Sequence, residues 1–515
     1  MTRARRILMI SSEVASLART GGLGDVVEAL AVALAGCGAD VVIVTPKYRA
    51  SRVPSSGHWW KAPVFAPLGR GHVRGQLHGR PREMGVFEAR LGQPHRPAPR
   101  VCMLADAPLF DRDGIYGDAR GVFGDNAFRF AALSSGALSV AARVWAGELP
   151  DVVHGHDWHA SLAVLYARVS RGAAWARVPT VFTIHNLAFQ GVIEDGELGQ
   201  LGVPPEAWTE GWIRQEGRVN LLKGAVEVAD RVTTVSKTYA REIQQPGHGH
   251  GLDACMRRHA GKLDGIVNGI DTVSYDPRSD AALVRTYGEA DAAGGKRACK
   301  LALLAELALD GGPPREPTPP LFALVSRLEW LKGSDRLLEI VPALIARGAR
   351  VVIEGTGARG IERAVRDAGA RWPGRVASRV VFDPALARRI FAGADFLVVP
   401  SRDEPCGLTQ LYAMRYGAIP IVTPVGGLLD TVQPLDAAHE TGTGLVADAG
   451  DVTSLLLACE DAIELWRDRL AMESLIARAM MRDSGWSASA RRYLDVYASA
   501  ERSHGGAGRD GPGGR

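Results

Sequence analysis

Residues Arg5–Pro46 read "RRILMISSEVASLARTGGLGDVVEALAVALAGCGADVVIVTP". The two ends of this stretch are short unbroken apolar runs, Ile7–Ile10 and Val41–Val44. Such runs suit parallel strands that are buried on both faces. Between them, apolar residues recur at helical spacing from Gly22 onward. The pattern predicts a strand over 6–10, a helix over about 22–36 and a strand over 41–45, which is a βαβ unit. Gly21 and Gly22 sit where the first strand hands over to the helix, a place that suits a phosphate or a sugar. The turn "TGGLGD" is not G-x-G-x-x-G, and Arg19 stands just before its glycines.

The same alternation continues along the chain. "RVCMLADAP", a helix through 125–145, "DVVHGHDWHA", "TVFTIHN", a helix around 219–229 and "RVTTVS" extend the first series. Residues 50–100 are rich in Gly, Pro, Arg and His, and predict short antiparallel strands and loops at "VFAPL", "VRGQL" and "MGVFEARL". A second series begins near 265 and passes through the connection "DGGPPREPTPP". It then runs "LFALVSRL", helix 334–346, "RVVIEG", helix 359–370, "RVVF", helix 384–392, "DFLVVPS", helix 409–416 and "IPIVTP". Short apolar strands alternating with helices of about ten residues predict doubly wound sheets, so an α/β chain of two such domains is expected.

Composition sets outer limits. At 515 residues the chain exceeds one ordinary core. It is 46% hydrophobic and 23% charged, which excludes a disordered class, and its net charge of +4 shows no basic face that would argue for nucleic acid. Six scattered cysteines without C-x-x-C spacing (Cys37, Cys102, Cys255, Cys299, Cys406, Cys459) predict reduced thiols and a cytoplasmic location. The N-terminal "ILMI" falls short of the roughly 7–15 apolar residues of a secretory core, so no leader is expected. No window approaches the ~18 apolar residues of a membrane span. The Gly-rich tail "RSHGGAGRDGPGGR" predicts disorder.

Several short stretches carry candidate chemistry. In "PSRDEPCGLTQLYAM", Glu404 lies in a tight turn, and Gly407, Leu408 and Thr409 offer backbone N–H groups at a helix start. The alternative is an ordinary strand–helix turn with a surface glutamate. In "VSRLEWLKG", Arg327 and Lys332 follow a strand and suit a diphosphate, unless both are simply solvated. "HGHDWH" places His154, His156 and His159 together, but H-x-H-x-x-H with no evident fourth ligand does not predict a metal. Asp157 and Trp158 beside them offer a hydrogen bond and a stacking face to a sugar. His185 and Asn186 close the strand in "TIHNLAFQG", where His185 could serve as acid, base or structural group. No nucleophilic triad, P-loop or kinase signature is present.

At "TGGLGDVV", "FDRDGIYGD", "HGHDWHA", "TIHNLAFQG", "VNGID", "SRLEWLKG" and "PSRDEPCGLTQLYAMRYGAIPIV", with "GGLLDTV" after it, the chain resembles glycosyltransferase family 5, the bacterial glycogen synthases and starch synthases. The resemblance spans about residues 7 to 500 in the family's order. It implies a GT-B fold, two Rossmann-like doubly wound domains facing across a deep cleft. The implied limits are 1–262 for the N-terminal domain, 263–486 for the nucleotide-sugar domain, 487–501 for a helix crossing back, and 502–515 for the tail. It implies transfer of glucose from ADP-glucose to the non-reducing end of an α-1,4-glucan such as glycogen, with retention of configuration and neither metal nor other cofactor.

The resemblance also implies roles. Arg327 and Lys332 would meet the donor diphosphate, and Glu404 the glucose hydroxyls. The backbone carbonyl of His185 would lie near the anomeric carbon. Asp157 and Asn186 would touch sugar, and Phe382 would stack on the adenine where the family usually has tyrosine. Arg19, Gly21, Gly22, Asn268, Cys406, Gly407, Leu408 and Thr409 would complete the donor site. The chain departs from the family pattern at Arg19, where lysine is usual, at Glu28 on the first helix, and at Glu329 and Trp330. Two other functions stay open at this point: a retaining enzyme of the same fold using UDP-glucose or another sugar, and a glucan-binding relative without catalysis. An NAD-dependent dehydrogenase is the fold-level competitor, and it would need fingerprint glycines that this chain lacks.

Overall fold

The computed structural model describes residues 3–54, 57–64, 82–91, 98–169, 172–309, 318–436 and 438–506. The expected segments at 64–68, 73–77 and 310–320 and the tail at 502–515 lie wholly or partly outside the described residues. The chain divides into two compact units. One comprises residues 1–235, 240–269 and 486–515, and the other 236–239 and 270–485.

The first unit is built on a nine-stranded sheet. In spatial order its strands are Leu263–Gly265, Arg231–Thr234, Thr180–Ile184, Val152–His156, Arg6–Ile10, Asp40–Pro46, Arg100–Ala105, Arg82–Arg90 and His58–Val64. All pairings are parallel except those of Arg82–Arg90 with its two neighbours. The opening βαβ unit forms as its spacing predicts, with the helix at Gly22–Gly36. Its glycines differ in what they do. A Cβ on Gly24 would lie 3.1 Å from Ala15 N and 3.2 Å from Arg19 Cβ, so Gly24 lets the helix pack on the preceding turn. A Cβ on Gly21 would meet nothing within 4 Å.

Leu263–Gly265 pairs with Arg231–Thr234 and belongs to this first sheet. The main segment of the second unit starts after Gly269, whereas the apolar pattern began the second series near 265 and the resemblance implied a limit at 263. The last helix, Trp486–Gly506, is part of the first unit and packs on the helix Gly22–Gly36 and on the strands Thr180–Ile184 and Arg231–Thr234.

The second unit carries a six-stranded parallel sheet in the order Val376–Arg379, Arg350–Glu354, Leu321–Val325, Phe396–Val399, Ile419–Val422, Leu445–Val446. One strand differs from its expected place, since "RVVF" at 379–382 predicted a strand that the structure ends at Arg379. The neighbouring strand stops at Glu354, and Gly355 turns away with φ +152°, so residues beyond Arg379 have no ladder to join. Val381 and Phe382 are left exposed. All six cysteines are free thiols.

In both sheets the strand order reverses beside the first strand of the unit, Arg6–Ile10 in one and Leu321–Val325 in the other. Doubly wound sheets bind ligands at the carboxyl ends of the strands flanking such a reversal. The segments leaving those ends are 11–21 and 157–160 in the first unit, and 326–333 and 400–408 in the second. No helix among the described residues is long and apolar enough to cross a membrane.

Candidate active site

In the first unit the turn before the helix is organised by Glu13, a residue the sequence did not single out. Its buried carboxylate accepts hydrogen bonds from Thr20 N (2.6 Å), Thr20 Oγ1 (2.9 Å), Gly21 N (3.2 Å) and Tyr116 Oη (2.6 Å). Tyr116 also stacks on His159, with ring centroids 4.7 Å apart. Arg129, fully buried, fixes the loop carrying Tyr116 by donating to Leu109 O, Ile115 O and Asn126 Oδ1. Glu13 thus joins the "TGGL" turn to the "HGHDWH" segment. Arg19 is held in an ion pair with Asp25, whose carboxyl is pushed up by burial against the pull of that arginine.

The histidines of "HGHDWH" face inward. His154 shares hydrogen bonds with Tyr497 Oη (2.9 Å) and Thr183 Oγ1 (2.6 Å), so both its ring nitrogens are occupied. His156 Nδ1 lies 3.0 Å from His185 Nε2. His159 is wedged between Tyr116 and Phe130, and its Nδ1 has no partner. Desolvation lowers His154, His159 and His185 to about 3 and His156 well below its ordinary value, so all four rings are neutral near pH 7. At that basicity the His185 ring is a poor general base.

Asp157 adopts φ +55°, uncommon outside glycine, and its Oδ1 accepts the His185 N–H at 2.7 Å. Burial raises its carboxyl to about 7, opposed by the backbone N–H groups of His185 and Asn186. Asn186 Oδ1 takes the Ala188 N–H. Trp158 lies under Gly191 and lines a cavity of about 530 Å³ with Phe189, Gln190 and His250. Asn268 follows the edge strand Leu263–Gly265 in this same unit, and its Oδ1 is buried without a hydrogen-bond partner.

In the second unit Lys332 and Glu404, 72 residues apart, form an ion pair at 2.6 Å. Glu404 Oε2 also accepts from Ser401 Oγ at 3.1 Å, and its backbone carbonyl takes the Gly427 N–H. The Lys332 loop touches the Glu404 loop because Gly333 has φ +68°, and a Cβ there would lie 1.9 Å from Pro400 O. Arg327 does not join this pair. It is half-exposed and bonds Glu329 at 2.8 Å, so each cation carries a carboxylate partner. Cys406 is buried under Gly427, where a Cβ would come within 2.3 Å of its Cα. Gly407 and Leu408 lead into the helix Thr409–Arg415, whose first N–H groups have no intrahelical acceptor. Phe382 is 71% exposed.

Among the described residues, Glu227, Cys255 and His259 are the one group whose atoms could share a metal ion. Glu227 is already taken up by Lys223, Arg258 and His259; burial pushes its carboxyl up, but His259 and Lys223 outweigh this and lower it to about 2.

Two doubly wound sheets with polar and charged loops at their reversal points do not by themselves name a reaction; likeness to known proteins makes this chain a glycosyltransferase of the GT-B type. Residues 6–258 match the starch synthase catalytic domain family, and residues 319–464 match glycosyl transferases group 1. The chain is 41% identical to a glycogen synthase of Myxococcus xanthus over 499 residues, 95% of this chain and 98% of that one. It is 38% identical to a glycogen synthase of Variovorax paradoxus over 511 residues, 97% and 100% of the two chains. The catalytic domain of starch synthase IV from Arabidopsis thaliana, solved with ADP and acarbose, superposes with a TM-score of 0.85 at 28% identity, covering 97% of this chain and 100% of that one. The chain belongs to the glycogen synthase family, and it is an enzyme of the glycogen and starch synthase type.

Proposed function

We propose that the chain transfers glucose from ADP-glucose to the non-reducing end of an α-1,4-glucan with retention of configuration, using the site residues described above. The observation that carries this reading is the Lys332–Glu404–Ser401 arrangement at the reversal point of the second sheet, with Arg327 on the adjoining loop. Two cations there would take up the negative charge that grows on the departing ADP as the bond from glucose C1 to the phosphate oxygen breaks. The incoming 4-hydroxyl forms the new bond to C1, and its proton passes to the departing phosphate oxygen. Glu404 would hold glucose hydroxyls while acting as the counterion of Lys332. Cys406, Gly407, Leu408 and Thr409 would supply backbone N–H groups to sugar and phosphate. His185 contributes through its backbone carbonyl, in keeping with a ring too weakly basic to take a proton at neutral pH. Asp157, Asn186 and Asn268 would complete the polar lining, and Gly21 and Gly22 would leave room for the ligand.

The decisive experiment follows labelled glucose into glycogen from ADP-glucose against UDP-glucose, with and without EDTA. Preferential incorporation from ADP-glucose that survives chelation is expected. Preference for UDP-glucose, or loss of activity restored by a divalent ion, overturns the reading.

Two substitutions sharpen it. Glu404→Gln keeps the shape but loses the charge, and should lower kcat/KM by roughly 10- to 150-fold, the worth of a hydrogen bond to a charged group. Mass spectrometry of the wild type should detect no glucose attached to Glu404, since a covalent adduct would make it a nucleophile. Arg19 is assigned to the donor diphosphate. Arg19→Ala should cost a similar 10- to 150-fold in kcat/KM for ADP-glucose, and Arg19→Lys should keep substantial activity. A change in glycogen KM alone would move Arg19 to the acceptor.

A further inference from the structure

Glu354 ends the strand Arg350–Glu354 and is buried, yet it plays no part in the core. Its Oε1 accepts the Asp383 N–H at 3.0 Å, and its Oε2 is buried with no hydrogen-bond partner. A carboxyl with one oxygen unmatched in the interior is costly, and an apolar side chain would fill the same space without that cost. What the carboxyl does achieve is a single connection. Asp383 caps the helix Pro384–Gly393 by accepting from Ala385 N and Leu386 N. Directly before it stands Phe382, the exposed ring at the ligand-binding end of the sheet.

The backbone of Glu354 makes the complementary connection. Its carbonyl accepts the Ser326 N–H at 3.1 Å. The following residues, Thr356 and Ala358, bond to and from Leu328, and Gly357 lies so close that a Cβ would be 2.3 Å from Leu328 O. One residue therefore ties the loop carrying Arg327 to the turn carrying Phe382. In a doubly wound sheet a dinucleotide's phosphates sit at the strand-order reversal. Here Arg327 is at the reversal and Phe382 is two strands outward.

We propose that Glu354 is a positioning residue for the donor's nucleobase: through the Asp383 N–H it fixes the turn that presents Phe382 as a stacking face, at a set distance from the diphosphate loop. The proposal rests on the donor reading above. It concerns an oxygen acceptor, not a charge, so glutamine can replace glutamate and leucine cannot.

The test compares Glu354→Gln and Glu354→Leu, with inhibition by ADP and by inorganic pyrophosphate, which has no base. Glu354→Leu should raise the ADP inhibition constant and the ADP-glucose KM by roughly 5- to 10-fold, the worth of one lost hydrogen bond. Pyrophosphate inhibition, glycogen KM and kcat at saturation should stay within about twofold. Glu354→Gln should stay within about twofold of wild type in every term. In a Phe382→Ala background the effect of Glu354→Leu on ADP should vanish, because the two act as one unit. If the leucine variant does not fold, Glu354→Met takes its place in every measurement. Equal weakening of ADP and pyrophosphate, an unchanged ADP constant, or a glutamine variant as impaired as the leucine one overturns the proposal. A wild type that ADP does not inhibit overturns the donor reading instead.

Discussion

Lys332→Ala is expected to lower kcat by roughly 10²–10³-fold, the loss seen when one preorganised group that stabilises transition-state charge is removed. Arg327→Ala should cost a comparable factor. The two variants should part in stability. The Arg327 side chain is 47% exposed and pairs with an exposed neighbour, so its removal should leave the melting temperature nearly unchanged. Lys332 is 19% exposed, and its loss leaves Glu404, 11% exposed, with the Ser401 hydroxyl as its one side-chain partner among the described residues. That should cost about 1–3 kcal/mol, a drop of several degrees for a unit of this size. Kinetics must therefore be taken well below the lowered melting point. If either variant keeps near-full turnover, its assignment to the leaving diphosphate is wrong.

The first unit should become unstable in mild acid. His154, His156, His159 and His185 are buried and neutral in the folded state, with values far below the 6.5 of an unfolded histidine. As pH falls from about 6 toward 4, the unfolded chain binds four protons at these positions that the native chain does not. Asp157 works the other way. Its folded value of about 7 lies above the unfolded one, so the native state holds one proton that the unfolded state lacks. The net three protons correspond to about 4 kcal/mol lost per pH unit. Melting temperature recorded from pH 7 to 4.5 should fall with steepening slope. His159→Phe keeps a ring against Tyr116 and Phe130 and removes one titration, so its slope should be shallower by about 1.4 kcal/mol per pH unit. A flat profile, or a variant as acid-sensitive as wild type, would contradict this account.

Periodicity served well wherever one strand and its helix were enough to specify each other. The opening strand and helix lie at 6–10 and 22–36, where the apolar spacing put them. It failed where a neighbour sets the limit. The apolar run at 379–382 reads as a strand, but its ladder ends where Arg350–Glu354 ends, and no local pattern reports that. Strand Leu263–Gly265 likewise shows its allegiance only through its partner Arg231–Thr234. In the candidate site, the turn glycines and the cations could be singled out from the sequence because glycine and charge are informative residue by residue. Glu13 was not, because its meaning lies in Tyr116, 103 positions away. Nor was the pairing of Lys332 with Glu404, which only the close approach at Gly333 and Pro400 creates.

The return of the last helix to the first unit bears on how the molecule is made. His154 belongs to a strand at the middle of that unit's sheet, yet its ring is satisfied by Tyr497, 343 residues later. The ribosome releases residues 270–485 before Tyr497 exists. Until then the strands Thr180–Ile184 and Arg231–Thr234 lack the helix that covers them, and His154 lacks one of its partners. The residues of the second unit, 236–239 and 270–485, all precede the last helix, so that unit can fold as it emerges. Assembly of the nascent chain should therefore run out of sequence order, with the second unit complete first and the histidine-bearing half closing last.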